Sequence, residues 1–442
     1  MRRRDMLTGA VVTTGAAVLG LAPTARADGW GDRLVAERVR SQRALHHLRV
    51  LSEGIGQRIG GTESEHRAKD YLVSVLRELR YDVAVQPFSV PDKYLSTLKV
   101  SGQRWNAAAA RLGALDVTRS GRVVDLGDGA TLPDDLTGRI ALLVNVPAPY
   151  TPVVEAARRG AVAVLLGRIT TPGKSGTFSP ALTEAVAVPV LGIAQVHVER
   201  LRARPAREIT VSTSLHAGLT SHNVIAERPP TFGSDEGVVM VTAHYDSVPG
   251  SPGANDDGSG TSLVLEVARV LRRLPTYRTL RFALWGSEEQ GLLGSRHYVG
   301  GLSDVEAKRI VGTFQNDMVA TSNPGSTVYW LLSVDGAANA TTSAVADAAG
   351  RLGHAGHVRG PVARGSSDHV PFHERGIAAA NFSWRGPAGP GDLEPLYHTP
   401  EDTLAGNVDA RRLQISLELV GTAAYRLAAT RSQGRESSTR TP

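Results

Sequence analysis

Residues 237–260 read GVVMVTAHYDSVPGSPGANDDGSG. An uninterrupted apolar run here ends in His244 and Asp246, passes through a Gly/Pro turn to Asp256 and Asp257, and enters a helix predicted over 258–274. A short run with no polar alternation is the pattern of a strand buried on both faces. The same rhythm returns in TLRFALWGSEEQG (279–291), RIVGTFQNDM (309–318), TVYWLLSV (327–334) and IAAANFSW (377–384). Such alternation of buried strand and helix predicts an α/β fold, a mostly parallel mixed sheet sandwiched by helices.

The flanking segments extend this frame. Leu34, Val35, Val39, Leu45, Leu48 and Leu51 recur at helical spacing and predict a helix over 32–53. After the turn GGT, Thr62 and Glu65 have the spacing of a capping box, followed by the stripe Ala68, Leu72, Val75, Leu76 and Leu79. YDVAVQPFSV (81–90) reads as a strand. From about Asp92 to His216 the texture changes to short buried strands such as GRIALLVNV and VAVPVLGI, separated by Gly and Pro turns. A last helix is expected over 409–430, and the polar tail 431–442 is expected to be disordered. The expected divisions are a leader (1–27), the first part of the main domain (28–115), a β-rich insertion (116–214), the main part (215–430) and the tail (431–442).

With 442 residues and 41% hydrophobic content, the chain can bury a large core. Half of the formal charge of +6 comes from Arg2, Arg3, Arg4 and Arg26 against Asp5, so the remainder gives no sign of a nucleic-acid partner. The leader has a charged start, a mildly apolar run over 6–21 and the small-residue pattern Ala25-Arg26-Ala27, which predicts an export signal; RRRDML resembles the twin-arginine type. The mature chain is thus expected to be secreted, with no stable membrane anchor. The chain has no cysteine, which excludes disulfides, thiolate nucleophiles and thiolate metal sites.

Four apolar strands run into loops bearing His244, Asp246, Asp256, Asp257, Glu288, Glu289, Asp317 and His398. Ligands of open α/β sheets bind beyond the carboxyl ends of the strands, so these loops are expected to converge. That much negative charge in one crevice calls for a cation. Imidazole and carboxylate ligands favour zinc, with manganese or cobalt as chemically acceptable substitutes. Two zinc ions, about 3.5–4 Å apart and sharing a carboxylate, would balance the charge.

The motifs AHYDS, GANDDGSG, WGSEEQGLLGS, QNDM, SSDHVPF and YHTPEDT, in this order, resemble the two-zinc metallo-aminopeptidase family of secreted bacterial aminopeptidases, glutamate carboxypeptidase and the transferrin receptor. The segment 116–214 is similar to the protease-associated domain inserted in some of these proteins. The resemblance implies His244 and Asp317 on one zinc, Glu289 and His398 on the other, and Asp256 bridging them. It implies Glu288 as general base and Tyr397 as the hydroxyl that stabilises the oxyanion. Asp246, two residues after His244, is expected to support an imidazole or the bridging group. Asp257 matches a position where relatives have a non-proline cis peptide, Asp368 and His369 match a supporting motif, and His369 is a rival ligand. Glu288 and Glu289 are expected to face opposite ways as neighbours on extended chain. Where some relatives carry arginine just before SDH, this chain has Ser366 and Ser367, which leaves open whether Arg364 takes that place.

The implied activity is removal of N-terminal residues from peptides by zinc-activated water. A carboxypeptidase or dipeptidase of the same family would keep these ligands, a glutaminyl cyclase would use one zinc, and a non-catalytic binding protein would act through its insertion.

Overall fold

The apolar runs quoted above become adjacent strands of one sheet in the computed structural model, which describes residues 30–170, 175–204, 208–233 and 236–431. The leader (1–27) and all of the expected tail except Arg431 lie outside the described residues. After β1 (Asp82–Ser89), the chain builds β2 (Lys93–Val100), β3 (Gln103–Ala109), β4 (Val117–Asp125), β5 (Arg139–Val144), β6 (Ala163–Gly167), β7 (Val190–Ile193) and β8 (Glu208–His216). It continues with β9 (Thr220–Arg228), β10 (Val238–His244), β11 (Thr279–Trp285), β12 (Ile310–Asn316), β13 (Val328–Ser333), β14 (Val358–Ala363) and β15 (Ala379–Arg385).

Eight strands form the main sheet in the order β1-β9-β11-β10-β12-β15-β13-β14. The centre is parallel, since β10 pairs in parallel with β11 and β12, and β12 with β15. Antiparallel pairs lie on either side, β1 with β9, β9 with β11, and β13 with β15. Parallel register places His244 beside Trp285 and Thr242 beside Gln315. Three strands therefore release their polar loops at one edge, which is why residues far apart in sequence meet there.

The helix Gly260–Leu271, between β10 and β11, is buried except at Arg269. It lies between the sheet and the helices Ser41–Arg49 and Ala410–Ala429, and its all-round apolar character follows from that position. The helix expected over 32–53 is broken. Arg40 adopts extended backbone and donates its N–H to Glu266 Oε1 at 2.8 Å, while Ser41 N donates to Gln414 Oε1 at 2.7 Å. Helices Trp30–Ala36 and Ser41–Arg49 lie on either side of the break, with a π-helical turn at Val50–Ile55.

The expected capping box is also absent. The Thr62 hydroxyl donates to Ile59 O at 2.6 Å, and Glu65 turns inward to accept from Gly61 N at 2.6 Å and Ser221 Oγ at 2.7 Å. Glu65 is fully buried, and burial, with Asp246 nearby, raises its carboxyl pKa to about 8.

Strands β2 to β8 close a seven-stranded barrel in the order β2-β3-β7-β6-β5-β4-β8. The barrel starts at Lys93, so the division expected at 115/116 falls inside it. β2 and β8 pair along their whole length, from Lys93–His216 to Val100–Ile209. The chain thus enters and leaves the barrel on neighbouring strands, between β1 and β9, which are themselves paired. Leu98, Val100, Ile140, Leu142, Leu165, Leu191 and Val211 fill one barrel core.

Candidate metal centre

His244 ends β10 with its backbone held from two sides: its N–H donates to Asp257 Oδ2 at 3.3 Å, and its carbonyl accepts from Thr261 Oγ1 at 2.6 Å. Asp257 also accepts from Gly260 N at 2.8 Å and Met318 N at 3.3 Å. This carboxylate therefore ties β10, the following helix and the loop after β12 together. The Asp256–Asp257 peptide is cis. Asp402 accepts from the backbone N–H groups of Asn255 at 2.9 Å and Asp256 at 3.1 Å, fixing the stretch that presents the Asp256 side chain.

Glu288 and Glu289 occupy one 3-10 turn, Glu288–Gln290, rather than extended chain. Their separation comes from the turn, where successive side chains are rotated by about 120°. Asp246 accepts both their backbone N–H groups, at 2.9 Å from Glu288 and 3.3 Å from Glu289, and its Oδ1 lies 3.5 Å from His244 Nδ1. This carboxylate sets the acid pair as well as facing the imidazole.

Asp256 stands between the two histidines, its Oδ1 3.2 Å from His244 Nε2 and its Oδ2 3.0 Å from His398 Nε2. Glu289 Oε2 lies 3.2 Å from His398 Nε2. Asp317 Oδ1 and Glu288 Oε2 lie 3.9 and 4.0 Å from His244 Nε2. Among the described residues, two trios bring ligand atoms within 4.8 Å of one another, His244 with Asp256 and Glu289, and His244 with Asp257 and Asp317.

Zinc fits this donor set. Glu289 Oε1 and Asp317 Oδ1 are buried atoms with no hydrogen-bond partner, and Asp256 Oδ2 and His398 Nε2, though 3.0 Å apart, are not aligned for a hydrogen bond. Buried polar atoms seldom go unpaired, and such atoms converging on one space are what an ion there would satisfy. Electrostatics agree. Burial, with Asp368, Glu289 and Asp317 nearby, holds Glu288 far above the usual carboxylate range despite the facing His244. Burial and Asp256 raise Glu289 to about 7, and the Glu289 and Asp256 carboxylates overcome burial to raise His398 to about 10. A cation would relieve the repulsion among the acids.

Tyr397 stacks on His398, with ring centroids 3.6 Å apart. Burial and the nearby acids push its hydroxyl above the ordinary tyrosine range, so it remains a proton donor. Asp368 accepts from Ser295 Oγ and from Gln315 Nε2 at 3.3 Å, bracing the acid-turn helix against β12. His369 directs Nε2 to the Arg364 carbonyl at 2.8 Å and belongs to neither trio.

Several site residues were missed in the sequence. Arg58 is fully buried and donates to the carbonyls of Tyr245, Gly56, Pro252 and Gly253 at 2.6, 3.0, 2.7 and 2.9 Å. It thereby brackets the loop leading to Asp256. Glu394 accepts from Asn407 Nδ2 at 2.5 Å and Asn255 Nδ2 at 3.4 Å. Asn407 also donates to Asp402 at 2.8 Å, so these residues form one support under the Asp256 loop. Arg385, likewise unmarked in the sequence, lines the cleft together with Arg364, His244, Asp256, Glu288, Glu289, Asp317 and Tyr397.

The barrel reaches this site. Lys93 Nζ donates to Gln290 Oε1, and Asn106 Nδ2 donates to the Gly250 carbonyl at 3.1 Å. A Cβ on Gly176 would meet the His398 carbonyl oxygen at 2.1 Å, so at this point the β6–β7 loop lies directly against a histidine whose φ is +59°.

Imidazoles and carboxylates gathered at the carboxyl edge of an α/β sheet are the donor set of a metal-dependent hydrolase. Residues 223–424 match peptidase family M28. The chain is 36% identical over 435 residues to aminopeptidase YwaD of Bacillus subtilis (strain 168), covering 95% of this chain and 92% of that protein. The structure of BSAP, a zinc aminopeptidase from Bacillus subtilis, matches with a TM-score of 0.67 at 36% identity, covering 90% of this chain and 97% of that one. An aminopeptidase from Aneurinibacillus sp. strain AM-1 matches with a TM-score of 0.60 at 31% identity, covering 92% and 98%. The chain belongs to peptidase family M28.

Proposed function

We propose that this zinc-dependent aminopeptidase holds two zinc ions, one on His244 and Asp317 and one on Glu289 and His398, with Asp256 shared, and removes N-terminal residues from peptides with Glu288 as general base. The observation that carries this reading is the Asp256 carboxylate, which turns one oxygen toward each imidazole at 3.2 and 3.0 Å. When bound, zinc supplies Lewis acidity, making a water acidic near neutral pH and polarising the substrate carbonyl.

Glu288 takes the water's proton as the oxygen attacks the carbonyl carbon, then delivers it to the departing amine nitrogen as the C–N bond breaks. One water is consumed, yielding an acid and an amine. The protonated Tyr397 hydroxyl donates to the carbonyl oxygen as negative charge develops there. Asp246 keeps the acid pair in place through two backbone bonds. The free α-amine of the substrate sits near Glu288.

We read the barrel as a protease-associated insertion that limits access to the cleft, and residues 1–27 as a twin-arginine export signal. Among the described residues, no helix is long and apolar enough to cross a membrane.

Assays of the zinc-loaded chain on aminoacyl anilides and on peptides with free or acetylated amino ends test the activity. Cleavage confined to free amino ends, with about two zincs per chain, is expected. Cleavage confined to blocked peptides would overturn the aminopeptidase assignment, and one zinc with pyroglutamate formation would replace it with a cyclase.

The Gly176 contact gives a separate expected result. Gly176→Ala forces the β6–β7 loop and the His398 backbone apart and weakens the zinc on His398 by about tenfold or more, on the scale seen when groups that orient metal ligands are lost. Competition with a chelator measures the change. Unchanged zinc affinity would show that the loop yields without moving His398.

A further inference from the structure

Arg385 ends β15 with only 2% of its surface exposed, yet it lines the active cleft. Its Nη1 donates to the Pro390 carbonyl at 2.7 Å, its Nε has no partner, and it joins no ion pair among the described residues. Arg364 lines the same cleft with its own buried Nε unpartnered. Burial lowers Arg385 to about 10, which leaves it charged at neutral pH.

A buried guanidinium without a paired carboxylate is costly, and although Asp317 and Asp256 act on Arg385 through space, no acid among the described residues forms an ion pair with it. On the two-zinc reading, on which this inference rests, Asp256, Glu289 and Asp317 are the carboxylates committed to the metals. Both arginines then stand on the cleft wall with buried Nε donors that make no hydrogen bond. Guanidinium presents a planar fork of donors that fits a carboxylate through two parallel hydrogen bonds.

We infer that Arg385, assisted by Arg364, recognises a carboxylate of the substrate, so that favoured substrates carry this group within reach of the scissile bond. Two sources have this chemistry: the side chain of an acidic first residue, and the terminal carboxylate of a dipeptide. Met318 and Leu393, also on the cleft wall, provide apolar contact beside the charged one.

Paired substrates differing only in that charge test the inference on the zinc-loaded full chain. Glutamyl and glutaminyl p-nitroanilides probe the first source, and leucyl-glycine and leucyl-glycine amide the second. The expected result is a preference for the acid of at least about tenfold in kcat/KM, carried by KM, in one pair; that pair identifies the source. Arg385→Gln is expected to bring the ratio near one, and Arg385→Lys to restore part of it. Calorimetric binding of the products, glutamate against glutamine and glycine against glycinamide, should show the same preference without turnover.

Equal kcat/KM within both pairs overturns the inference while leaving the aminopeptidase reading intact. A preference that survives Arg385→Gln overturns the assignment to Arg385, and failure to hydrolyse any of the four overturns both readings. Because Arg385 also holds the Pro390 carbonyl, the wild-type comparison decides the matter if Arg385→Gln does not fold.

Discussion

Glu288→Gln is expected to lower kcat by about 10²–10⁴ while the zinc content stays unchanged. Glutamine matches glutamate in size, so the turn held by Asp246 through the Glu288 and Glu289 N–H groups keeps its shape. What is lost, on the role proposed for Glu288, is the ability to accept a proton from water and return it to the leaving amine. Burial and the neighbouring carboxylates already favour proton uptake at Glu288, the tendency a general base needs. Glu289→Gln is the contrasting variant: it removes the charge of the carboxylate facing His398 and is expected to lower the zinc content on dialysis. Turnover on an aminoacyl anilide with parallel zinc analysis separates the two effects. Full activity of Glu288→Gln would rule out its role as base.

Arg58→Met is expected to destabilise the fold by about 3 kcal/mol or more, although Arg58 is not assigned to the chemistry. The residue is fully buried, and its donors satisfy carbonyls from the 56 turn and from both ends of the 245–253 loop. Methionine would fill the space but leave several buried acceptors unpaired, each a desolvation cost without return. Arg58→Lys should recover little, because an ammonium cannot match a planar fork spread over several carbonyls. Denaturant unfolding of the zinc-free protein isolates the effect from metal binding. A loss below about 1 kcal/mol would mean that water replaces the guanidinium.

The two results fall on opposite sides of what could be read in the sequence. Glu288 stood out because an acid pair after a buried strand has no local role, and parallel register does the rest: once β10, β11 and β12 are neighbours, their loops must share an edge. Arg58 carried no such signal. Its main partners are main-chain carbonyls 187 to 195 positions away, and a carbonyl leaves no mark in the sequence. Glu65 was misread for a related reason: a local capping spacing competed with Ser221, a partner 156 positions away that only the tertiary fold supplies. Arg385 follows the apolar run 377–384 with no local mark of its burial, which only the tertiary fold supplies. The barrel's opening strands were assigned to the wrong unit because KYLSTLKV and QRWNAAA mix polar and apolar residues, unlike the continuous runs of β5 and β6.

The paired stem of the barrel also bears on how the chain folds. Joining β1 to β9 requires closing a loop that spans the whole insertion, and closure entropy grows with the length of flexible chain between the partners. Once β2 and β8 have paired from Lys93 to Val100, the ends of that loop are already neighbours. A barrel that forms first therefore turns a pairing between distant segments into one resembling a short hairpin, lowering the effective contact order of the main sheet's edge.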